Sequence, residues 1–145
     1  MKALIQRVTH ASVTVEGQVV GHIDRGLLVF LGIDAEDDHA VADRLLSKVL
    51  NYRVFPDENG HMNLSVQDIN GELLIVSQFT LSASTNKGLR PSFSAAKAPA
   101  LAEPLYAHFV EQAANQAVVA TGEFGADMKV ELLNDGPVTF LLSVD

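Results

Sequence analysis

Apolar and polar residues alternate through the opening third of the chain. Val13 and Val15 alternate with Ser12, Thr14 and Glu16, Gly17 offers a turn, and Val19, Val20 and Ile23 follow, a spacing that predicts half-buried strands. A second turn near Asp24, Arg25 and Gly26 leads into Leu27 to Ile33, a run apolar enough for a strand buried on both faces, so the first 33 residues are expected to open as a β-meander. From Asp34 the period changes. Val41, Leu45 and Val49, flanked by Ala42, Leu46 and Leu50, form an apolar stripe at helical spacing over about four turns. Asp34 is the expected cap, Glu36, Asp37 and Asp38 put negative charge on the first turn, and Lys48 lies near the far end.

Arg53, Val54 and Phe55 look extended, Pro56 to Gly60 is a turn by composition, and Asn70-Gly71 is a hairpin signal ahead of a strand from Leu73 to Gln78. Pro91 and Pro99 punctuate a loop-like segment that begins at Ser82. A second helix is expected over Ala102 to Gln116, with Leu105, Tyr106, Phe109, Val110 and Ala113 on one face. In a helix interior Pro104 would cost ~3 kcal/mol, so the expectation puts it in the first turn and leaves Ala98 to Leu101 as lead-in. Beyond Gly122 and Gly125, Met128, Val130 and Leu132 alternate with Lys129 and Glu131. Val138, Phe140 and Leu142 alternate on a partner strand joined to them by Asn134-Asp135-Gly136-Pro137. No repeat or linker breaks this order, which predicts one α+β domain over residues 1–145, an antiparallel sheet with two helices.

Composition narrows the chemistry. The 145 residues are 48% hydrophobic, enough for a sizeable core, and they include no cysteine, which excludes thiolate nucleophiles and zinc-thiolate sites. The longest uninterrupted apolar run, Leu27 to Leu31, is far too short to span a bilayer, and no charged-then-apolar leader precedes it, so a soluble, cytoplasmic protein is expected. Net charge is −8, which argues against broad neutralisation of nucleic-acid phosphates. Yet no acidic residue occurs from Leu73 to Ala102, while Lys87, Arg90 and Lys97 do, and that local surplus marks either a loop that happens to lack carboxylates or a site for a small anionic ligand.

The familiar catalytic signatures are missing. There is no G-x-S-x-G elbow and no glycine-rich phosphate loop. His10, His22, His39, His61 and His108 include no pair at metal-ligand spacing, and Asp37 and Asp38 are accounted for by the helix start, so neither a metal nor a cofactor is expected. Two segments stay unexplained by folding needs. One is Ser77-Gln78-Phe79-Thr80-Leu81, where a strand exits into the acid-free stretch. The other is Gly136-Pro137, which offers no reactive side chain and could act only through its backbone.

At these two segments the chain resembles the D-aminoacyl-tRNA deacylase family, in the form widespread in bacteria and eukaryotes. The likeness takes in Ala3-Leu4-Ile5-Gln6-Arg7-Val8, Tyr52-Arg53-Val54-Phe55-Pro56-Asp57, Ser77-Gln78-Phe79-Thr80, Arg90-Pro91-Ser92-Phe93-Ser94, Phe124-Gly125-Ala126-Asp127-Met128 and Asn134-Asp135-Gly136-Pro137-Val138-Thr139. The resemblance implies a hydrolase that proofreads translation by cleaving the ester between a D-amino acid, or glycine, and the terminal adenosine of tRNA. It implies a barrel-like β-structure with two packed helices, working as a homodimer without a cofactor. It also implies roles for individual residues. Ser77, Gln78, Phe79 and Thr80 match the motif that holds the aminoacyl-adenosine, with main-chain groups near Phe79 and Thr80 at the reacting ester. Gly136 and Pro137 match a Gly-cis-Pro motif that enters the neighbouring subunit's pocket and excludes L side chains. Arg7 matches the arginine that braces this motif, Phe124 and Met128 the adenine-facing wall, and Ala102 a position nearby. Lys87, Arg90 and Lys97 then become contacts for the phosphates of the acceptor end.

With no side-chain base in view, the expected mechanism is substrate-assisted: the free ribose hydroxyl helps activate water and backbone N–H groups stabilise the oxyanion. Covalent attack by Thr80 is the rival, and it would need an adjacent base. A noncatalytic binder of adenine nucleotides or RNA ends, and a small-metabolite hydrolase, remain as alternatives of a different class. Loss of the ester from D-aminoacyl-tRNA separates them from the deacylase reading.

Overall fold

The computed structural model describes residues 1–145. One strand organises the sheet. β1 (Lys2–Val15) pairs antiparallel with β2 (Gln18–Ile23) along its second half and with β3 (Gly26–Gly32) along its first. The opening is therefore no meander: β2 and β3 run in the same direction along β1, and residues 24 and 25 kink one into the other. α1 (His39–Asn51) follows, then a short hairpin of β4 (Phe55–Pro56) and β5 (Met62–Leu64), then β6 (Glu72–Ser77). β6 pairs parallel with β3, and β7 (Val118–Thr121) pairs parallel with β6, so the sheet is mixed rather than wholly antiparallel. The Asn70-Gly71 signal marks a real turn, with Asn70 at φ +53°, yet the strand after it joins no hairpin. β2 closes back on β7: a Cβ on Gly21 would lie 2.2 Å from the Thr121 carbonyl oxygen, so the seam of this barrel-like sheet requires glycine there.

β3 and β6 are buried on both faces, as the unbroken apolar run predicts. Leu27, Val29, Leu31, Leu73 and Ile75 face the larger core with α1, α2 and Phe55, whereas Leu28, Leu74 and Val76 join Val8, Ala11, Val13 and Ile23 in a smaller cluster inside the barrel. α1 buries the predicted stripe. Its cap is Asp38, whose carboxylate accepts from Val41 N–H at 2.9 Å, and not Asp34. Asp34 and Asp37 are drawn away by the terminal ammonium of Met1, at 3.1 and 2.9 Å, and Asp34 also by Lys2 at 3.0 Å. Burial alone would raise the pKa of Asp34, but the hydrogen bonds from Lys2 and from the terminal ammonium, with the charge of that ammonium, outweigh it and hold the carboxyl below its ordinary value.

α2 spans Pro99–Ala114 and so begins earlier than the position of Pro104 suggests. Pro99 fills the first turn, where a missing N–H costs nothing, and Pro104 is tolerated one turn later on the exposed face, while Ala102, Leu105, Tyr106, Phe109 and Ala113 are buried. β8 (Lys129–Ser143) is the second correction at the C-terminal end. Residues 129–134 and 139–143 are not hairpin partners of one another; both pair with β1, and Arg7 alone on β1 stands opposite Asp135–Val138. Asn134-Asp135-Gly136-Pro137 thus belongs to a bulge in one long strand. No helix is long and apolar enough to cross a membrane.

Candidate active site

The carboxyl ends of β3 and β6 open onto a cavity of about 580 Å³. Phe30, Met128 and Val130 line it and also pack on the cluster inside the barrel, so the floor of the cavity is the open end of that core. This volume lies within the range of pockets that hold drug-sized ligands. Ser77, Gln78 and Phe79 form one wall, the Phe93 to Ala102 segment a second, and Phe124 to Met128 a third.

The first wall is placed by the sheet. Ser77 is paired with Leu31, and Gln78 N–H extends the ladder by donating to the Leu31 carbonyl at 2.8 Å. The chain then turns through a 3₁₀ segment, Phe79–Ser82, which packs so close to β3 that a Cβ on Gly32 would come within 2.8 Å of Leu81 Cβ. Phe79 and Thr80 begin this turn, so their N–H groups fall outside its i to i+3 ladder, and no other backbone carbonyl accepts from them. Two donors are therefore left free beside the cavity. Thr80 itself is exposed and not among the lining side chains, and its hydroxyl accepts from Gln78 Nε2 at 2.5 Å.

Ala102, Phe124 and Met128 line the cavity together. Sequence reasoning missed what backs them. The Phe124 ring rests on Tyr106 at 5.6 Å between centroids, and Tyr106 is buried, donating from its hydroxyl to the Ile75 carbonyl at 2.7 Å. Burial pushes the Tyr106 phenol up to about 12, which keeps it a neutral donor. A tyrosine on the buried face of an amphipathic helix is the available signal, since its hydroxyl must find a partner. The lining contains no histidine. Its one carboxylate, Asp127, is exposed and paired with Lys129 at 3.1 Å.

Arg7, Gly136 and Pro137 are absent from the cavity lining of their own chain. Gly136 and Pro137 are exposed, and the peptide between them is cis. Arg7 Nε donates to the Asp135 carbonyl and Nη1 to the Val54 carbonyl, both at 2.7 Å, so the arginine ties the bulge to the β4 region. Asn134 fixes the other side: its amide donates to the Val138 carbonyl at 3.1 Å and its Oδ1 accepts from Val138 N–H at 2.8 Å. Of the basic residues in the acid-free stretch, Lys87 and Arg90 are exposed and form no ion pair, whereas Lys97 lines the cavity and donates to the Ala35 carbonyl at 2.8 Å. The fold also brings together two histidines far apart in sequence. The His39 and His108 rings meet at 4.4 Å between centroids, with His108 Nε2 2.7 Å from Asp43, on the helices and away from the cavity.

Comparison with known proteins gives a consistent result. A family model described as D-Tyr-tRNA(Tyr) deacylase matches residues 4–143. The D-aminoacyl-tRNA deacylase of Pseudoalteromonas translucida (strain TAC 125) is 61% identical, over 99% of this chain and 100% of its own. That of Haemophilus influenzae (strain 86-028NP) is 60% identical over 99% and 100%. Among solved structures, the c-Myc DNA Unwinding Element Binding Protein superposes with a TM-score of 0.95 at 46% identity, covering 99% of this chain and 98% of that one. A probable eukaryotic D-amino acid tRNA deacylase shares the fold at a TM-score of 0.84 and 16% identity, covering 97% of each chain.

Proposed function

The chain belongs to the D-Tyr-tRNA(Tyr) deacylase family and is a hydrolase acting on D-aminoacyl-tRNA; from that premise we propose how its cavity performs the reaction. The aminoacylated terminal adenosine enters with its base against Phe124, Met128 and Ala102 and its ester beside Phe79 and Thr80. Water attacks the ester carbonyl carbon, the resulting oxyanion is held by the Phe79 and Thr80 N–H groups, and the ribose oxygen leaves with a proton, releasing the free amino acid and tRNA. The free hydroxyl of the same ribose orients and helps activate the water. One observation carries this reading: the cavity-lining Phe79 and the adjoining Thr80 keep unpartnered backbone donors beside a cavity that offers no unpaired side-chain base. Donors of this kind are worth ~3 kcal/mol each when aimed at a developing oxyanion.

Selectivity for D esters requires a second copy of the chain. The exposed Gly136-Pro137 bulge, clamped by Arg7 and Asn134, enters the partner's cavity and presents its carbonyls where an L side chain would sit. Two features support a homodimer. Gly136 and Pro137 are missing from their own cavity, and β8 pairs only with β1 while Leu133 and Leu141 stand more than half exposed beside the bulge. Lys87 and Arg90 meet the phosphates of the acceptor end, with Lys97 adding charge nearer the cavity. The small basic footprint suits a cytoplasmic enzyme of net charge −8 that grips only the end of its substrate.

The test compares D-alanyl-, glycyl- and L-alanyl-tRNA at limiting enzyme. A gate that works by steric exclusion has nothing to oppose in glycine, so the D-alanyl and glycyl esters are hydrolysed and the L-alanyl ester resists. Equal rates for the two alanyl esters would leave a general esterase.

A further inference from the structure

Phe93 is the most exposed aromatic element of the cavity that the reaction above does not use. It lines the cavity, yet 42% of it faces solvent, and its ring lies 5.1 Å from that of Phe79, itself 57% exposed, at an interplanar angle of 53°. Leaving two phenyl rings this open forfeits burial that either could have had in the core. Their setting is firm. Ser84 and Ser92 exchange two backbone hydrogen bonds, at 2.8 and 2.9 Å, and Ala96 N–H closes a turn on the Phe93 carbonyl at 3.1 Å. Arg90, exposed and without an ion pair, precedes the ring by three residues in a stretch free of acidic groups.

An open aromatic face beside unpaired cations is the chemistry that holds single-stranded nucleic acid, by base stacking on the ring and neutralisation of the adjoining phosphate. The Phe93 ring lines the cavity and is open to solvent, so a chain leading from a terminal nucleoside bound in the cavity can reach it. The geometry points to Phe93, supported by Phe79, as the stacking platform for the penultimate nucleotide of the tRNA, with Arg90 on the phosphate that joins it to the terminal adenosine. This subsite rests on the reading of the cavity given above, and it explains why an acidic protein reads RNA through so few basic residues.

The experiment compares two substrates with the same ester: D-tyrosyl-tRNA and D-tyrosyl-adenosine, which lacks the penultimate nucleotide. Stacking of one base on an aromatic side chain is worth ~1–3 kcal/mol, so Phe93→Ala should lower kcat/KM for the tRNA by about 5- to 160-fold and lower it at least about fivefold less for the adenosine ester. Phe93→Tyr, which keeps the ring, should restore the wild-type ratio of the two substrates. D-tyrosyl-tRNA made abasic at the penultimate position should show the same deficit with the wild-type enzyme and no further deficit with Phe93→Ala. Equal losses on both substrates would make Phe93 a wall of the adenosine pocket and overturn the subsite, as would undiminished activity on the tRNA. A wild-type enzyme inert toward both esters would instead overturn the reading of the cavity itself, and the subsite with it.

Discussion

Thr80→Ala separates the two mechanisms open to this cavity. The substitution removes a hydroxyl whose side-chain partner is the Gln78 amide, which donates to it, and it leaves the Thr80 N–H in place. An exposed neutral hydrogen bond nets ~0.5–1.5 kcal/mol, so kcat/KM for D-tyrosyl-tRNA should fall by about tenfold at most. A covalent nucleophile would behave otherwise, since deleting one costs on the order of 10⁶ in kcat. The hydroxyl would also need a base to take its proton, and an amide N–H is no base. Removing the 2′-hydroxyl of the terminal adenosine should hurt the wild-type enzyme more, by roughly 10² to 10⁴, the usual worth of positioned acid–base help. Single-turnover hydrolysis with enzyme in excess reads both effects free of product release. A loss beyond about 10³ in Thr80→Ala with substrate affinity intact would refute the reasoning and establish the covalent route.

Three further outcomes follow from the same geometry. Arg7→Ala deletes two guanidinium hydrogen bonds, a part-buried one to the Val54 carbonyl worth ~1.5–3 kcal/mol and an exposed one to the Asp135 carbonyl worth less, and should loosen the bulge; the D-over-L rate ratio on alanyl-tRNA should drop, and Arg7→Lys, unable to span both carbonyls, should drop it too. Tyr106→Phe should lower the unfolding free energy by only about 1 kcal/mol in urea, because Gly122 N–H still donates to the Ile75 carbonyl at 3.3 Å and prevents it from being orphaned. Asp34 has a folded pKa below its ordinary 3.8, so its contribution to stability is complete above that value and is lost as the pH falls through the lower folded one; the wild-type advantage over Asp34→Asn in urea midpoint should shrink as the pH drops below about 3.8, and an advantage that is flat across this acid limb would contradict the assignment.

The sequence pattern says which face a residue takes but not which strand lies beside it. Leu27 to Ile33 is legible as buried on both sides, yet nothing in its alternation distinguishes pairing with β2 from pairing with β1, and the meander expectation fails on that point. The same holds at Asn70-Gly71, where turn chemistry is right and the hairpin is not, because the parallel partner β3 lies over forty residues upstream. Local penalties also mislead when burial opposes them. Pro104 argues for a late helix start, but Ala102 and Leu105 on either side of it are buried only if the helix is already formed, and Pro99 supplies a better first turn.

The sequence marks the segments that make up the candidate site but not the backbone groups and second-layer residues that the fold sets around them. Ser77 to Leu81 stands out in the sequence as a strand exit into the acid-free stretch with three hydrogen-bonding side chains around one aromatic ring; what that pattern does not give is the turn that leaves the Phe79 and Thr80 N–H groups without a backbone acceptor. Gly136-Pro137 stands out because it offers no reactive side chain and could act only through its backbone, but its setting is not legible: the pattern suggests a turn between partners, whereas both flanks of β8 pair with β1 and leave four residues opposite Arg7. That difference matters for function. A hairpin turn would end the sheet and move with its own loop, but a bulge within a long paired strand is held at both ends and by Arg7 and Asn134 from the sides. The gate proposed above, which would distinguish two mirror-image side chains by position, needs such anchoring, because misplacement of about 1 Å is enough to cost a site its geometry.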